Sequence, residues 1–164
     1  KAKILRDHGM SQSKKYYHEY IGFNYRMTNL QAAIGVSQLE SFEEIRLKRN
    51  SIFNSYDLNL KKLGFNRFSI NASSKESYWL YTALVPSQRD RDSLIKFLKE
   101  CDIETRPIFY PMSTMNIYTN YTKIPDISIS SQVSKNGISL PSSVSLTKDQ
   151  QTKVLNTISQ WCNH

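Results

Sequence analysis

Two short segments of the chain concentrate polar and aromatic side chains that suit an anionic ligand. The first covers residues 22–27, Gly-Phe-Asn-Tyr-Arg-Met, directly before a helix predicted to begin at Thr28. Its polar side chains are Asn24 and Arg26. Backbone amides and the helix dipole favour anions at a loop-to-helix junction. Residue types alone leave two interpretations open here, a phosphate site and a structural turn.

The second segment covers residues 105–111, Thr-Arg-Pro-Ile-Phe-Tyr-Pro. The guanidinium of Arg106 is a planar fork that suits phosphate groups, and Tyr110 adds an aromatic ring. The prolines on either side stiffen the loop. This pattern favours a surface that binds an anion and a ring. The alternative, with Arg106 solvated and Tyr110 packed in a core, fits the residue types equally well.

The chain shows no motif for a complete catalytic centre. It lacks the G-x-S-x-G, Walker A and G-x-G-x-x-G patterns and has no paired-carboxylate signature. The histidines His8, His18 and His164 do not have metal-ligand spacing, so we expect no metal site. Cys101 and Cys162 fall at apolar helical positions, which predicts buried thiols.

The helices that follow the first segment are the clearest elements. A capping box at residues 28–31 starts the pattern, and a second box at residues 41–44 can restart the helix. Apolar residues then recur with a period near 3.6, and Gly64 is a plausible stop. We predict two helices, or one long bent helix, whose apolar residues pack in a core: Leu30, Ala33, Ile34, Ile45, Ile52, Phe53, Tyr56, Leu60 and Leu63.

The second half of the chain predicts a small α/β layer. A strand at residues 78–85 ends at Pro86, and a helix capped by Ser87 follows. Further strands are expected at 103–108 and, as an edge strand, at 137–141, with a helix at 126–136 between them. A third capping box at residues 147–150 begins the last helix. The buried helical positions are predicted to be Leu94, Ile95, Leu98, Cys101, Val154, Leu155, Ile158, Trp161 and Cys162.

Composition indicates a globular protein. Of 164 residues, 39% are hydrophobic and 22% charged, enough for a real core. No apolar run approaches the ~20 residues that span a bilayer, and no leader opens the chain, so we expect a cytoplasmic protein. The net charge of +8 is scattered and accompanies no nucleic-acid-binding motif, which favours a solvated basic surface. The chain begins at Lys1 without Met, as a piece of a longer protein would.

Several separate motifs, in register, resemble one family. They are Leu-Arg-Asp-His-Gly-Met at residues 5–10, the run from Gly22 to Gly35, Tyr78-Trp79, Arg106-Pro107 with Tyr110-Pro111, and Ile-Ser-Leu-Pro at 138–141. Together they resemble the DegT/DnrJ/EryC1/StrS aminotransferases, most closely the perosamine-synthase-like members. The resemblance covers almost the whole chain.

The resemblance implies an α/β fold, the C-terminal part of a fold-type-I pyridoxal-phosphate (PLP)-dependent transferase. Residues 1–40 would end the large PLP-binding domain, residues 41–64 would form a connecting helix, and residues 65–164 would form the small C-terminal domain. In the family, the lysine that holds PLP as a Schiff base and the Asp that pairs with the pyridine nitrogen precede the segment matching residues 5–9. We therefore expect no catalytic residue in this chain and no transamination by the chain alone.

The resemblance also implies a reaction and a partner. Glutamate typically gives its amino group through PLP to a keto group on a nucleotide-linked sugar. Family members are homodimers with composite sites, and the Asn matching Asn24 donates to the partner's PLP phosphate. Arg26, Arg106 and Tyr110 are candidates for the nucleotide-sugar side. The alternatives are an inactive family member or a regulatory binding module, which lacks the upstream lysine, and, less favoured, a nucleic-acid-binding protein with steep salt dependence.

Overall fold

The chain forms two compact units, Lys1–Glu43 and Glu44–His164. A computed structural model describes residues 1–68, 73–86, 89–118 and 128–163. The helices and strands, in chain order, are α1 (Ala2–Leu5), α2 (Asn29–Glu40), α3 (Phe42–Leu60), β1 (Tyr81–Leu84), α4 (Arg91–Glu100), β2 (Arg106–Pro107), α5 (Ser128–Asn136), β3 (Gly137–Leu140) and α6 (Lys148–Asn163). The assignment of residues 1–40, 41–64 and 65–164 to parts of a larger enzyme stays a prediction.

The helices after residue 28 begin as the sequence predicts. Thr28 and Gln31 form a reciprocal capping box, with the Gln31 N–H 3.2 Å from Thr28 Oγ1 and the Thr28 N–H 2.9 Å from Gln31 Oε1. Helix α2 ends at Glu40 and α3 begins at Phe42, so there are two helices with Ser41 between them. After a 3-10 turn, Gly64 takes the left-handed conformation, with φ of 81°, and ends the segment as predicted.

The predicted burial of the α2 stripe is wrong. No residue of α2 is buried, and the side chains of Leu30 and Ile34 are 74% and 60% exposed. The Lys1–Glu43 unit has no large buried side chain against which this helix can pack. Farther along the prediction holds for Ile52, Phe53, Tyr56 and Leu60 of α3, which are all buried, whereas Ile45 and Leu63 are only half-buried.

The Glu44–His164 unit is built on a three-stranded antiparallel sheet in the order β1-β3-β2. Tyr81 lies opposite Leu140, and Arg106 lies opposite Ser139. The predicted edge strand at residues 137–141 is therefore wrong in position, since β3 is the central strand. All four residues of β3 are buried, as expected of a strand that is covered on both faces and paired on both sides.

Several element boundaries differ from the predictions. The strand predicted from residue 78 begins at Tyr81, because the carbonyls of Tyr78 and Trp79 accept hydrogen bonds from Arg49 Nη1. Only residues 106–107 of the predicted strand at 103–108 pair with a neighbour. Residues 126 and 127 lie outside the described residues, and α5 begins at residue 128.

The cap of α4 differs from the prediction as well. The side chain of Asp90 accepts hydrogen bonds from the N–H groups of Asp92 and Ser93, at 3.0 and 3.3 Å, so Asp90 is the N-cap. Ser87, the predicted cap, lies outside the described residues. A carboxylate is the stronger choice at this position because it also interacts favourably with the helix dipole.

The hydrophobic core lies entirely in the Glu44–His164 unit. The predicted helical faces are confirmed in part: Leu94, Leu98, Val154, Ile158 and Trp161 are buried. The other four residues predicted to be buried are only half-buried, although they pack against the core: Ile95, Cys101, Leu155 and Cys162. The third capping box is present, with the Gln150 N–H 3.2 Å from Thr147 Oγ1. Among the described residues, no helix is long and apolar enough to cross a bilayer.

Two buried tyrosines link α3 to the sheet region. The hydroxyl of Tyr56 donates to the Pro141 carbonyl at 2.8 Å, and that of Tyr81 donates to Asp57 Oδ1 at 2.9 Å. Burial is the main cause that raises the pKa of both phenols well above the ordinary value, and the Asp57 carboxylate raises that of Tyr81 further.

These pKa shifts predict alkaline destabilisation. Folding favours the neutral phenols, so their contribution is complete below their ordinary pKa of about 10 and is lost as the pH rises above it. We expect the free energy of unfolding, measured by urea titration, to fall between about pH 8 and about pH 11. The Tyr56→Phe/Tyr81→Phe double variant should lose clearly less over this interval. An equal loss in both proteins would contradict the assignment to these two tyrosines.

Candidate functional site

Residues 22–27 are held in place by backbone pairing with residues 5–8. Phe23 donates to the Leu5 carbonyl at 2.7 Å and accepts from the His8 N–H at 2.9 Å, and the Tyr25 N–H donates to the Arg6 carbonyl at 2.9 Å. Asn24 lies opposite Asp7 in this antiparallel pairing. The two motifs recognised in the sequence therefore form one local structure.

Two glycines allow this close pairing. A Cβ atom on Gly9 would overlap the Tyr20 carbonyl, and one on Gly22 would overlap the backbone of Gly9. Gly9 also has φ of 67°, in the left-handed region that side chains rarely adopt. Their substitution would therefore displace the segment that carries Asn24 and Arg26.

Asn24 and Arg26 both meet Asp7. The backbone of Asn24 forms a bridge with Asp7, and Arg26 Nη1 lies 3.6 Å from Asp7 Oδ1. The Arg26 side chain is 68% exposed, so this long ion pair holds it weakly. Asn24 is exposed, and within the described part of the chain its side chain has no hydrogen-bond partner. An amide and a guanidinium are thus available to an anion on one surface. Asp7 was not predicted to be a site residue. The only indication of it in the sequence was its position within the motif at residues 5–10.

The Glu44–His164 unit contains a cleft of about 610 Å³, which we call the β2 cleft. It is lined by residues of α3, β2, β3 and α6 and of the loops beside them. Arg106 lies in its wall and is exposed. Tyr110 is not among the residues of this wall and is 66% exposed. The structure does not bring these two predicted residues into one pocket, and Tyr110 is not packed in the core either.

Arg49 also lines the β2 cleft. From the sequence it was one of the scattered basic residues expected on a solvated surface. Its Nη1 donates to the carbonyls of Tyr78 and Trp79, at 2.9 and 2.7 Å, which fixes the guanidinium. Its Nε is buried and, among the described residues, has no hydrogen-bond partner. The buried hydroxyl of Thr105, also in the wall, likewise has none among those residues. No periodicity or motif distinguishes Arg49, because its role comes from contacts 29 and 30 residues away in sequence.

Backbone strain is also located at the β2 cleft. Tyr78, next to the wall residue Trp79, has φ of 52°, and the wall residue Asp102 has φ of 58°. Residues other than glycine adopt this conformation at an energetic cost, and such residues cluster at ligand-binding sites. Metal binding is a different matter: the described residues contain no group of three or more His, Cys, Asp or Glu side chains placed to hold an ion.

Comparison with known proteins gives concordant results. The model of the DegT/DnrJ/EryC1/StrS aminotransferase family matches residues 1–159. A GDP-perosamine synthase of Vibrio cholerae is 35% identical over 161 residues, which cover 97% of this chain and 44% of that protein. The putative pyridoxal phosphate-dependent aminotransferase EpsN of Bacillus subtilis is 31% identical, over 96% of this chain and 42% of its own length.

The fold is similar to that of solved aminotransferases. Helicobacter pylori PseC, an aminotransferase involved in the biosynthesis of pseudoaminic acid, matches with a TM-score of 0.86 at 21% identity. The match covers 98% of this chain and 45% of that one. The chain thus spans less than half the length of the relatives it matches, and it corresponds to their C-terminal part.

Proposed function

Since the chain belongs to the DegT/DnrJ/EryC1/StrS aminotransferase family, we propose that it is the C-terminal part of a PLP-dependent nucleotide-sugar aminotransferase. Such an enzyme transfers an amino group, from glutamate, to a keto group of a nucleotide-linked deoxy sugar for surface polysaccharide or glycoside synthesis. The observation that carries the proposal is the family match over residues 1–159, reinforced by 35% identity to a GDP-perosamine synthase.

Asn24 fits the phosphate of PLP. Its exposed amide, on a segment fixed by backbone pairing, can donate to a phosphate oxygen without breaking a hydrogen bond within the described residues. When bound, PLP supplies the electron sink for moving the amino group. The role of Asn24 would be to hold and orient that phosphate through a charge-assisted hydrogen bond.

Arg26, Arg106 and Tyr110 are proposed to bind the nucleotide sugar. Both arginines are exposed and permanently charged, and their planar forks suit phosphate oxygens. The exposed ring of Tyr110 can pack against a sugar or a base. Different observations support the two arginines. Arg106 lies in the wall of the β2 cleft, whereas Arg26 forms an ion pair with Asp7, whose backbone pairs with Asn24.

We also propose that the enzyme acts as a cytoplasmic homodimer in which Asn24 serves the partner's site. Exposed apolar side chains on residues 23–39 support an interface, since large exposed apolar surfaces mark interaction sites. Phe23, Met27, Leu30, Ile34 and Leu39 are each at least half exposed. We propose that the rest of the large domain and the partner subunit cover these side chains.

The test is the position of the PLP-binding lysine. In the longer protein, borohydride treatment with PLP should attach the cofactor to a lysine upstream of Lys1, and peptide mass spectrometry should find no specific attachment within residues 1–164. The same preparation should aminate a keto-sugar nucleotide with glutamate as donor. A trapped adduct on one particular lysine of this chain would refute the assignment. Cofactor binding without amino transfer would instead indicate a regulatory family member.

A further inference from the structure

We propose that Arg91 is a positioning residue, whose buried guanidinium joins the two ends of the 108–137 segment and thereby holds Arg106 and Tyr110 in place for a nucleotide sugar. The 108–137 segment runs from the end of β2 through α5 to the first residue of β3. This role rests on the proposed function for its ligand, and it adds a residue that acts only through its neighbours. All of the contacts involved lie within the Glu44–His164 unit.

Arg91 is a buried cation at the unfavourable end of a helix. It is the first residue of α4 and is only 8% exposed. The helix dipole opposes a positive charge at the N-terminus, and removing a charged group from water destabilises the fold unless the group is paired. The carboxylate of Asp92, which is 74% exposed, lies 2.5 Å from Arg91 Nε. The burial of the rest of the guanidinium requires further acceptors.

These acceptors lie where α5 meets β3. Arg91 Nη1 donates to the carbonyls of Ser134 and Gly137, at 3.2 and 3.1 Å. Ser134 lies in the last turn of α5, where the carbonyls have no partner within the helix. A cation is favourable there because the C-terminal end of the helix dipole is negative. Arg91 therefore fixes the junction between α5 and the central strand.

The same junction holds the beginning of the 108–137 segment. The Ile108 N–H donates to the Gly137 carbonyl at 3.3 Å, so this carbonyl accepts from both Ile108 and Arg91. The Ile108 side chain packs directly on Gly137, since a Cβ atom at residue 137 would overlap Ile108 Cδ1. Both ends of the segment therefore meet at one carbonyl, and Arg91 is the charged donor at that point.

This junction determines where two proposed ligand-binding residues lie. Arg106 precedes Ile108 by two residues, and Tyr110 follows it by two. Both side chains are exposed, so their placement depends mainly on the backbone that carries them. A ligand that contacts both binds more tightly when this backbone is fixed before binding, because less freedom is then lost. Loss of the Arg91 donor should therefore weaken binding without removing any group that contacts the ligand.

The test compares Arg91→Met and Arg91→Lys with the parent in the longer protein, by calorimetric titration with GDP-mannose as a stable nucleotide sugar. Met retains the apolar stem but cannot donate, whereas Lys retains a charged donor. We expect binding to weaken by about tenfold in Arg91→Met and by about threefold in Arg91→Lys. Lys96→Met removes an exposed cation of α4 and should leave binding unchanged.

Hydrogen exchange supplies a measurement that needs no activity. In Arg91→Met the Ile108 amide should exchange about tenfold faster or more, because its acceptor is no longer held. The amides of the buried part of α3, at residues 52–60, should remain protected as in the parent. PLP retention should also remain unchanged. This combination distinguishes a local positioning effect from a general loss of stability.

The possible outcomes separate this inference from the proposed function. Faster exchange throughout the unit, with binding and PLP retention lost in proportion, would show that Arg91 only stabilises the fold and would overturn the proposal. Faster exchange at Ile108 with unchanged binding overturns it too, as does the absence of saturable GDP-mannose binding by the parent.

Local exchange with weakened binding, in a protein that transfers no amino group, supports the role of Arg91 and refutes the aminotransferase function. Circular dichroism verifies that each variant is folded. If Arg91→Met does not fold, the same two measurements on Arg91→Lys decide, and parent values for both overturn the proposal.

Discussion

Phe53→Ala is expected to lower the free energy of unfolding by about 4 kcal/mol, because it removes a fully enclosed aromatic ring from the only core among the described residues. Phe53 packs edge-on against Tyr78 and Tyr81, each with a ring-centroid distance of 5.2 Å. The guanidinium of Arg67 lies 5.0 Å above the same ring. The substitution therefore removes buried area, two aromatic pairs and a cation–π contact together.

A matched control is available in the same helix. Leu58 of α3 is 69% exposed, so Leu58→Ala deletes a comparable apolar group without opening a cavity, and we expect a change below about 0.5 kcal/mol. Urea unfolding, followed by circular dichroism, measures both variants against the parent protein. If Phe53→Ala cost no more than Leu58→Ala, the ring would not be the centre of the core.

The contacts of Arg67 explain why Phe53→Ala should lower the free energy of unfolding by more than the loss of buried area alone. It pairs with Asp57 at 2.9 Å and also with Glu76, and Asp57 in turn accepts from the Tyr81 hydroxyl. Its side chain is 20% exposed. Loss of the Phe53 ring would leave a cavity beside the Arg67 guanidinium. The ion pairs of Arg67 with Asp57 and Glu76 would then be held in place less firmly. The polar and aromatic contacts around Phe53 are therefore coupled.

Local patterns in the sequence predicted the helices well. The capping boxes at Thr28 and Thr147 depend on residues three positions apart, so the sequence contains the whole interaction. A period of 3.6 residues predicted three of the buried residues of α6, Val154, Ile158 and Trp161, but not the buried polar residues Gln151 and Thr157. Gly64 was identified because a left-handed residue at a helix end favours glycine.

The sheet and the cleft could not be derived in this way. The central position of β3 depends on which strands pair, and β1 and β2 contact it from 25 or more residues away. The strand was predicted to begin at residue 78, but the carbonyls of Tyr78 and Trp79 accept hydrogen bonds from Arg49, which is also far away in sequence. Local periodicity contains no information on which strands pair or on which carbonyls Arg49 contacts. The same remoteness explains why Arg49 and Trp79 were not predicted together as parts of one cleft.

The α2 stripe shows a different limit. Periodicity predicts that Leu30 and Ile34 are covered, but it does not say by what. In the Lys1–Glu43 unit nothing covers them, and α2 has no buried residue. In the proposed homodimer, a second subunit would cover these side chains. This makes the subunit that supplies Asn24 a measurable question.

Asn24→Ala, in the longer protein, is expected to weaken PLP retention by one to two orders of magnitude, since loss of a hydrogen bond to a charged group costs ~1.5–3 kcal/mol. Dialysis followed by cofactor absorbance measures the retention. Asn54→Ala alters an exposed asparagine of α3 and should leave retention unchanged. Arg26→Ala should instead raise KM for the nucleotide sugar more than it changes cofactor affinity. Equal retention by the Asn24→Ala and Asn54→Ala proteins would refute the phosphate contact.

In the proposed homodimer, mixed dimers then determine which subunit's site Asn24 serves. One subunit carries Asn24→Ala, and the other lacks the PLP-binding lysine, so each homodimer is defective. If Asn24 acts across the interface, the heterodimer has one intact site, because the lysine of the first subunit meets the unaltered Asn24 of the second. Its other site has both defects. If Asn24 acts within its own subunit, each heterodimer site has one defect and none is intact. Purified heterodimers should therefore retain PLP tightly at one site and recover amino transfer, whereas weak binding at both sites would show that Asn24 serves its own subunit.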